Sequence, residues 1–198
     1  MLAVLTADQR GSRHTDDRVP EALAVLERVT PYRAFERTAG DEVQGVLTSA
    51  ASTLDAVEAL VRAGAWSIGL GLGAVEEPLP ASTRAGRGEA FVRARKAVEA
   101  AKNTTARLAV VGPAGEAVDR LETVLVLWVS VLRRRTPRGW EVVDLVGDGL
   151  THEAAAARLG ITQSAVSQRL SAAGVQESVR GRRLALDLLA DLIGTEPG

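Results

Sequence analysis

The 198-residue sequence predicts an α+β chain: a βαββαβ sheet domain followed by an all-α tail. Three observations predict it. Through the first 112 residues, short apolar runs bounded by turn residues alternate with apolar stripes at three and four spacing. After Pro113-Ala114-Gly115 the stripes are helical only. Residues 151–170 then read as helix, glycine turn, helix.

The elements follow in order. Residues 2–7 form a short buried strand that Asp8 closes, and 9–17 a polar loop. A helix over 19–29 tolerates Pro20 in its first turn. Strands 32–38 and 43–48 are joined by Ala39-Gly40-Asp41-Glu42, a hairpin signal. The helix at 50–64 carries Leu54, Val57, Leu60 and Val61 as its stripe. The strand at 66–75 has Gly69, Gly71 and Gly73 at alternate positions, so one face is bare backbone, open to a ligand or a helix. A Pro/Gly/Arg loop, a helix at 89–102 and a strand at 107–111 complete the sheet domain. This order is the ferredoxin-like arrangement, which sets the hairpin beside the end of the first strand. A long helix, 116–135, presents Val118, Leu121, Leu125, Trp128 and Leu132, with Arg133, Arg134 and Arg135 complementing its C-terminal dipole. A short helix from Trp140 and a last amphipathic helix over 181–193 flank the helix-turn-helix. The expected division is therefore 1–112, a connecting helix at 113–138, and 139–198.

Within the helix-turn-helix, an alanine-rich helix ends at Leu159 and Gly160 turns the chain, because the reversal needs φ > 0. Thr162 caps a second helix over 163–173. Val166 and Leu170, four apart, face the core, which leaves Gln163, Ser164, Ser167 and Gln168 pointing outward. Short polar side chains at a helix N-terminus suit the edges of base pairs in the major groove. Arg158 and Arg169 flank them as phosphate contacts. All five arginines after Gly139 fall within 158–183, where Glu177 is the one acid, so a modest positive patch lies between acidic flanks. Such a surface binds better as a dimer, and the helices at 115–135 and 181–193 are expected to supply the seam. The same trihelical pattern also serves protein–protein contacts.

Composition narrows the partners. A net charge of −1 excludes polyanion binding by bulk charge. The chain has no cysteine, so disulfide and thiol chemistry are excluded. The two histidines, His14 and His152, have no zinc-ligand spacing. The start turns polar at once without a basic segment, and the apolar run 124–132 is too short to span a bilayer, so a cytoplasmic protein with no membrane partner is expected. Arginine far outnumbers lysine and alanine is abundant, a habit of GC-rich bacterial genomes.

Asp8 ends the first strand, and Asp41 and Glu42 lie in the hairpin that the fold sets beside it. Converging carboxylates would hold Mg²⁺, and Mg²⁺ would hold a nucleotide's phosphates. Gly11-Ser12-Arg13 and Gly40 offer backbone N–H groups and a guanidinium for phosphate. Asp41 and Glu42 are equally good turn residues, and Asp8 a loop cap. Arg84, Arg87, Arg93 and Arg95 are either an anion-binding rim or scattered solvated charges.

Four motifs in order carry a resemblance: Asp8 with Gly11-Ser12-Arg13; Gly40-Asp41-Glu42-Val43-Gln44-Gly45; Ile68-Gly69-Leu70-Gly71; and Gly88-Glu89-Ala90-Phe91 with Ala94-Arg95-Lys96-Ala97. In these the chain resembles the SatD family over its N-terminal two thirds. The resemblance implies a palm domain distantly similar to GGDEF and class III nucleotidyl cyclase domains, with a helix-turn-helix behind it. It places Asp8 and Asp41 at metal-ligand positions. It also shows departures. Val92 and Lys96 stand where cyclases present Asn and Arg to the transition-state phosphates, and Ala39 replaces the first hairpin glycine. An apolar valine donates no hydrogen bond to phosphate, so the resemblance favours a binding palm over a catalytic one.

The expected function is a transcriptional regulator that binds double-stranded DNA as a homodimer, with the palm sensing a nucleotide or dimerising. The alternatives are a metal-dependent nucleotidyl cyclase or other nucleotide-processing enzyme, and a non-enzymatic adaptor whose helix-turn-helix binds protein.

Overall fold

Leu2–Gln9 alternates its side chains between two buried faces, which makes it the central strand, β1, of a five-stranded sheet. The computed structural model describes residues 1–38 and 40–194. The other strands are β2 (Arg33–Arg37), β3 (Glu42–Leu47), β4 (Trp66–Gly73) and β5 (Leu108–Val111). Their order is β2-β3-β1-β4-β5. All neighbours are antiparallel except β4 and β5. Eight α-helices accompany them among the described residues: α1 (Val19–Leu26), α2 (Ala50–Ala63), α3 (Glu89–Ala101), α4 (Glu116–Arg133), α5 (Pro137–Gly147), α6 (His152–Leu159), α7 (Gln163–Ala172) and α8 (Val175–Gly194). None is long and apolar enough to cross a membrane.

One sheet face, with Ala3, Leu5 and Ala7 of β1, packs under α1, α2, α4 and α8 in a single apolar cluster. Trp128 and Leu125 of α4 and Ala185 and Leu189 of α8 belong to it. The stripes read as a dimer seam are thus largely spent inside the chain; Leu127 and Leu184 stay exposed. The other face carries the glycines of β4, and it is α3 that lies on them. A Cβ on Gly71 would sit 2.2 Å from the Ala90 carbonyl oxygen, and one on Gly69 would sit 2.1 Å from the Val98 nitrogen. Between the alternatives of ligand and helix, the bare strip seats the helix, whose own facing residues, Ala90 and Ala94, are small.

Helices α5, α6 and α7 form a separate small cluster around Val142, Ala155, Ala156 and Val166. Each opens on a threonine cap: Thr136 accepts from Gly139 N–H, Thr151 from Ala154 N–H and Thr162 from Ala165 N–H, each at 3.1 Å. Gly160 adopts φ 62°, as the tight turn requires.

Several boundaries differ from the sequence reading. Asp8 does not close β1: the strand runs on to Gln9, paired with Trp66. The first helix ends at Leu26, before 29. The last starts at Val175, before 181, because Gly181 is a packing residue rather than a breaker. Its missing side chain leaves room for Trp128, 3.4 Å from where a Cβ would stand. Arg133 and Arg135 are staples rather than dipole partners. Arg133 donates to the carbonyls of Ala106 and Trp66, and Arg135 to that of Ala173. Ala39 and residues 195–198 lie outside the described residues.

Candidate functional site

Two surfaces hold the residues singled out by sequence. The first is an open cleft of about 1390 Å³ where β1, the loop after it and the β2–β3 hairpin meet. Asp8, Gly11, Ser12, Arg13, Gly40 and Asp41 all line it, so the fold brings these six together. Buried Gln9 organises the loop. Its amide nitrogen donates to Thr15 Oγ1 at 3.0 Å and to the Asp16 carbonyl at 2.7 Å, and its oxygen accepts from Arg18 N–H at 2.9 Å. Arg37 ties loop to hairpin by donating to Asp17 and to the Gly40 carbonyl. Glu42 stands opposite Asp8 in register, but its carboxylate accepts from Thr38 Oγ1 and does not line the cleft.

Lys102, which sequence reasoning passed over, follows directly on the last turn of α3. Its Nζ lies 3.1 Å from Asp8 Oδ2 and 2.8 Å from Glu99 Oε1. An ammonium therefore already engages the Asp8 carboxylate. Among the described residues no three His, Cys, Asp or Glu side chains converge as metal ligands. This donor set does not fit a divalent ion while Lys102 holds Asp8. Arg10, Arg13, Arg37, Lys102 and Arg107 face the carboxylates of Asp8, Asp17 and Asp41 on its walls, an excess of positive charge that suits an anion. Ala65 and Arg107, both on the wall, have positive φ without being glycine, a backbone strain of the kind that collects at binding sites.

Asp8 and Lys102 respond differently to their pairing. For Asp8 burial outweighs the Lys102 hydrogen bond, and its carboxyl is held above the ordinary range. For Lys102 burial pulls down, but the bonds to Glu99 and Asp8 outweigh it and its pKa is raised. A carboxyl raised on folding contributes stability that is complete below about pH 4 and is lost as pH rises through its folded value. At neutral pH the Asp8 charge is therefore a net burden on the fold. Asp8→Asn, which leaves Lys102 its Glu99 partner, is expected to melt about 1–2 °C above the parent at pH 7 and level with it at pH 4. Paired thermal melts check this; a lower melting temperature at pH 7 means that Lys102 outweighs burial.

The second surface is α6 and α7. Val166 is wholly buried while Gln163, Ser164, Ser167 and Gln168 are all exposed, as is Thr162. Arg158 is exposed and has no ion-pair partner among the described residues. Arg169 is half-buried and lies 4.0 Å from Glu141, so it is partly engaged within its own helical cluster rather than fully offered to solvent. Ser167 Oγ and His152 Nδ1 are 3.3 Å apart, which joins the two helices across the turn.

No family model and no curated protein matches this chain. Among solved structures, the chain is similar to the crystal structure of a regulator of polyketide synthase expression from Bifidobacterium adolescentis. That likeness has 11% identity and a TM-score of 0.29 and covers 98% of this chain and 80% of the other. At that score it carries no argument about either surface, and the chemistry rests on the residues above.

Helix α5 meets α2 and the end of α4. Arg62 of α2 donates through both guanidinium nitrogens to Asp144 of α5. Arg62 and Arg135 both stack on Trp140, at 4.9 and 4.6 Å from the ring centroid. Half-buried Glu58, whose carboxyl is pushed up by desolvation, faces Arg135, Arg182 and Arg62 at this joint.

Proposed function

We propose that the chain is a DNA-binding transcriptional regulator. Its reading head is the helix-turn-helix α6–α7, and its sheet domain is a ferredoxin-like palm that binds an anionic effector in the Asp8 cleft. One observation carries the reading. Helix α7 buries Val166 and turns Gln163, Ser164, Ser167 and Gln168, four short polar side chains at its N-terminal end, to solvent. The antiparallel order β2-β3-β1-β4 supports the palm. The shared apolar cluster supports a division in which α4 and α8 go with the palm and α5–α7 form the head. Leu127 and Leu184, exposed on α4 and α8, support a homodimer through the outer face of that pair. The wide, cation-lined cleft supports a phosphorylated effector such as a nucleotide, held by Arg13 and the backbone of Gly11, Ser12 and Gly40.

Selection of duplexes from a genomic library by the purified chain tests the reading. An enriched motif is expected. Gln163→Ala combined with Gln168→Ala is expected to weaken binding to it at least about 10-fold, since one good base contact is worth about 1–3 kcal/mol. Weak non-specific retention, which rests on phosphate contacts, is expected to persist. No enrichment, or enrichment untouched by the double substitution, overturns base reading by this helix.

A further inference from the structure

A second cavity, of about 870 Å³, lies on the α3 face of the sheet, between the N-terminal half of α3 and the 74–88 segment. It is distinct from the Asp8 cleft and shares no lining residue with it. Arg84, Arg87, Arg93, Arg95 and Lys96 converge on it, against the carboxylates of Glu76 and Glu89 alone.

The charges there are largely unpaired, in contrast to several arginines elsewhere. Arg18, Arg37, Arg62, Arg120 and Arg182 each have a carboxylate within 2.8 Å. Around the cavity only Arg93 is engaged, at 3.0 Å from Glu89 and donating to the Leu72 carbonyl. The side chains of Arg84, Arg87, Arg95 and Lys96 have no hydrogen-bond or ion-pair partner among the described residues. Unpaired like charges brought together repel one another, and a bound anion removes that repulsion.

The wall that carries them is tied down. Arg33 donates to the carbonyls of Leu79 and Pro80, Thr83 Oγ1 donates to the Ala34 carbonyl, and Ser82 Oγ donates to Glu36 at 2.7 Å. Arg84 N–H adds a weaker bond to Glu36. Phe91 fills the space left by Gly86 and locks the segment to α3. The segment is thus a fixed scaffold for Arg84 and Arg87. On the cavity wall, Gln44 is 7% exposed, and one end of its amide bonds Thr6 Oγ1 at 2.8 Å. Its other end has no partner among the described residues and is left to the cavity.

We propose that this cavity binds an oligophosphate: two or more linked phosphates held by Arg84, Arg87, Arg95 and Lys96, with Gln44 free to meet a polar group attached to them. Spread guanidinium and ammonium donors match a chain of phosphate oxygens better than a single anion.

Calorimetric titration of the full chain at low salt, with tripolyphosphate and separately with a nucleoside triphosphate, tests this. Saturable binding of both is expected. Equal affinity means that phosphates alone are read, and a nucleotide preference that survives Arg13→Gln, with the Asp8 cleft disabled, means that Gln44 adds a contact; either supports the proposal. Arg84→Gln combined with Arg95→Gln is expected to weaken tripolyphosphate at least about 10-fold, with thermal melting not lowered because neither side chain has a partner to lose. Arg13→Gln, in the other cleft, is expected to leave it intact. Tripolyphosphate that does not bind, that ignores the double substitution, or that is lost with Arg13→Gln overturns the proposal. So does a double variant that loses only duplex DNA, which would make the surface a nucleic-acid contact instead.

Discussion

Gly71→Val is expected to yield no folded protein, and Gly71→Ala to lose about 3 kcal/mol, the upper end of the usual overpacking cost and a large share of the roughly 5–15 kcal/mol that holds a typical domain. A Cβ at this position meets the Ala90 carbonyl oxygen and the Ala94 amide nitrogen, both at 2.2 Å. Those atoms are backbone, so no rotamer change relieves the clash. Helix α3 must lift from β4 as a body, which breaks the cluster of Val4, Val46, Ala90, Phe91 and Ala94 and opens the oligophosphate cavity beside it. Gly147→Ala is the control. Nothing lies within 4 Å of a Cβ there, and the residue is helical, so the change is expected to be neutral or to stabilise by up to about 1 kcal/mol. Urea unfolding of the three variants checks the ranking. Gly71→Ala within 1 kcal/mol of the parent would show that α3 does not sit as close as this.

Val166→Asp is expected to melt the reading head and leave the palm folded. The residue is fully buried in a cluster whose other wholly or nearly buried members are Val142, Ala155 and Ala156. An uncompensated carboxylate in such a site costs several kcal/mol, and three threonine caps at about 1 kcal/mol each do not offset it. The palm's cluster, which includes α4 and α8, contains none of α5, α6 or α7's buried residues. The variant is therefore expected to lose duplex binding altogether and to become protease-sensitive within 137–172. Its main thermal transition should shift by only a few degrees. Collapse of the whole chain in one transition would show instead that palm and head fold as one unit.

The sequence displayed most of the fold because its signals were local. Period-two and period-four apolar patterns placed every strand and helix, and Gly160 with Thr162 marked the turn between α6 and α7. The candidate cleft was half legible. Asp8, Asp41 and Gly11-Ser12-Arg13 stood out because short motifs carry them. Lys102 did not, since 94 positions separate it from Asp8 and only the return of α3 across the sheet brings the two within 3.1 Å. One glycine hid a packing role. The sequence reading starts the last helix at Gly181, yet the helix begins at Val175 and Gly181 is the hollow that Trp128 fills. Gln9 gave no signal at all, because a glutamine that satisfies a loop's backbone looks like any polar residue after a strand.

The stacking of two guanidiniums on Trp140 has an optical consequence. The chain has three tryptophans. Trp66 and Trp128 are sealed in the large core, with 0% and 2% exposure, while Trp140 is partly exposed at the joint between α2 and α5. Cations held against an indole face perturb its emission, and soluble quenchers reach only the ring that solvent touches. The wild-type chain thus carries its own fluorophore at a place where a movement of the head against the palm would register. Effector titrations and duplex titrations can be followed on the same unlabelled sample, and a change in quenching on one ligand that alters the response to the other would measure their coupling directly.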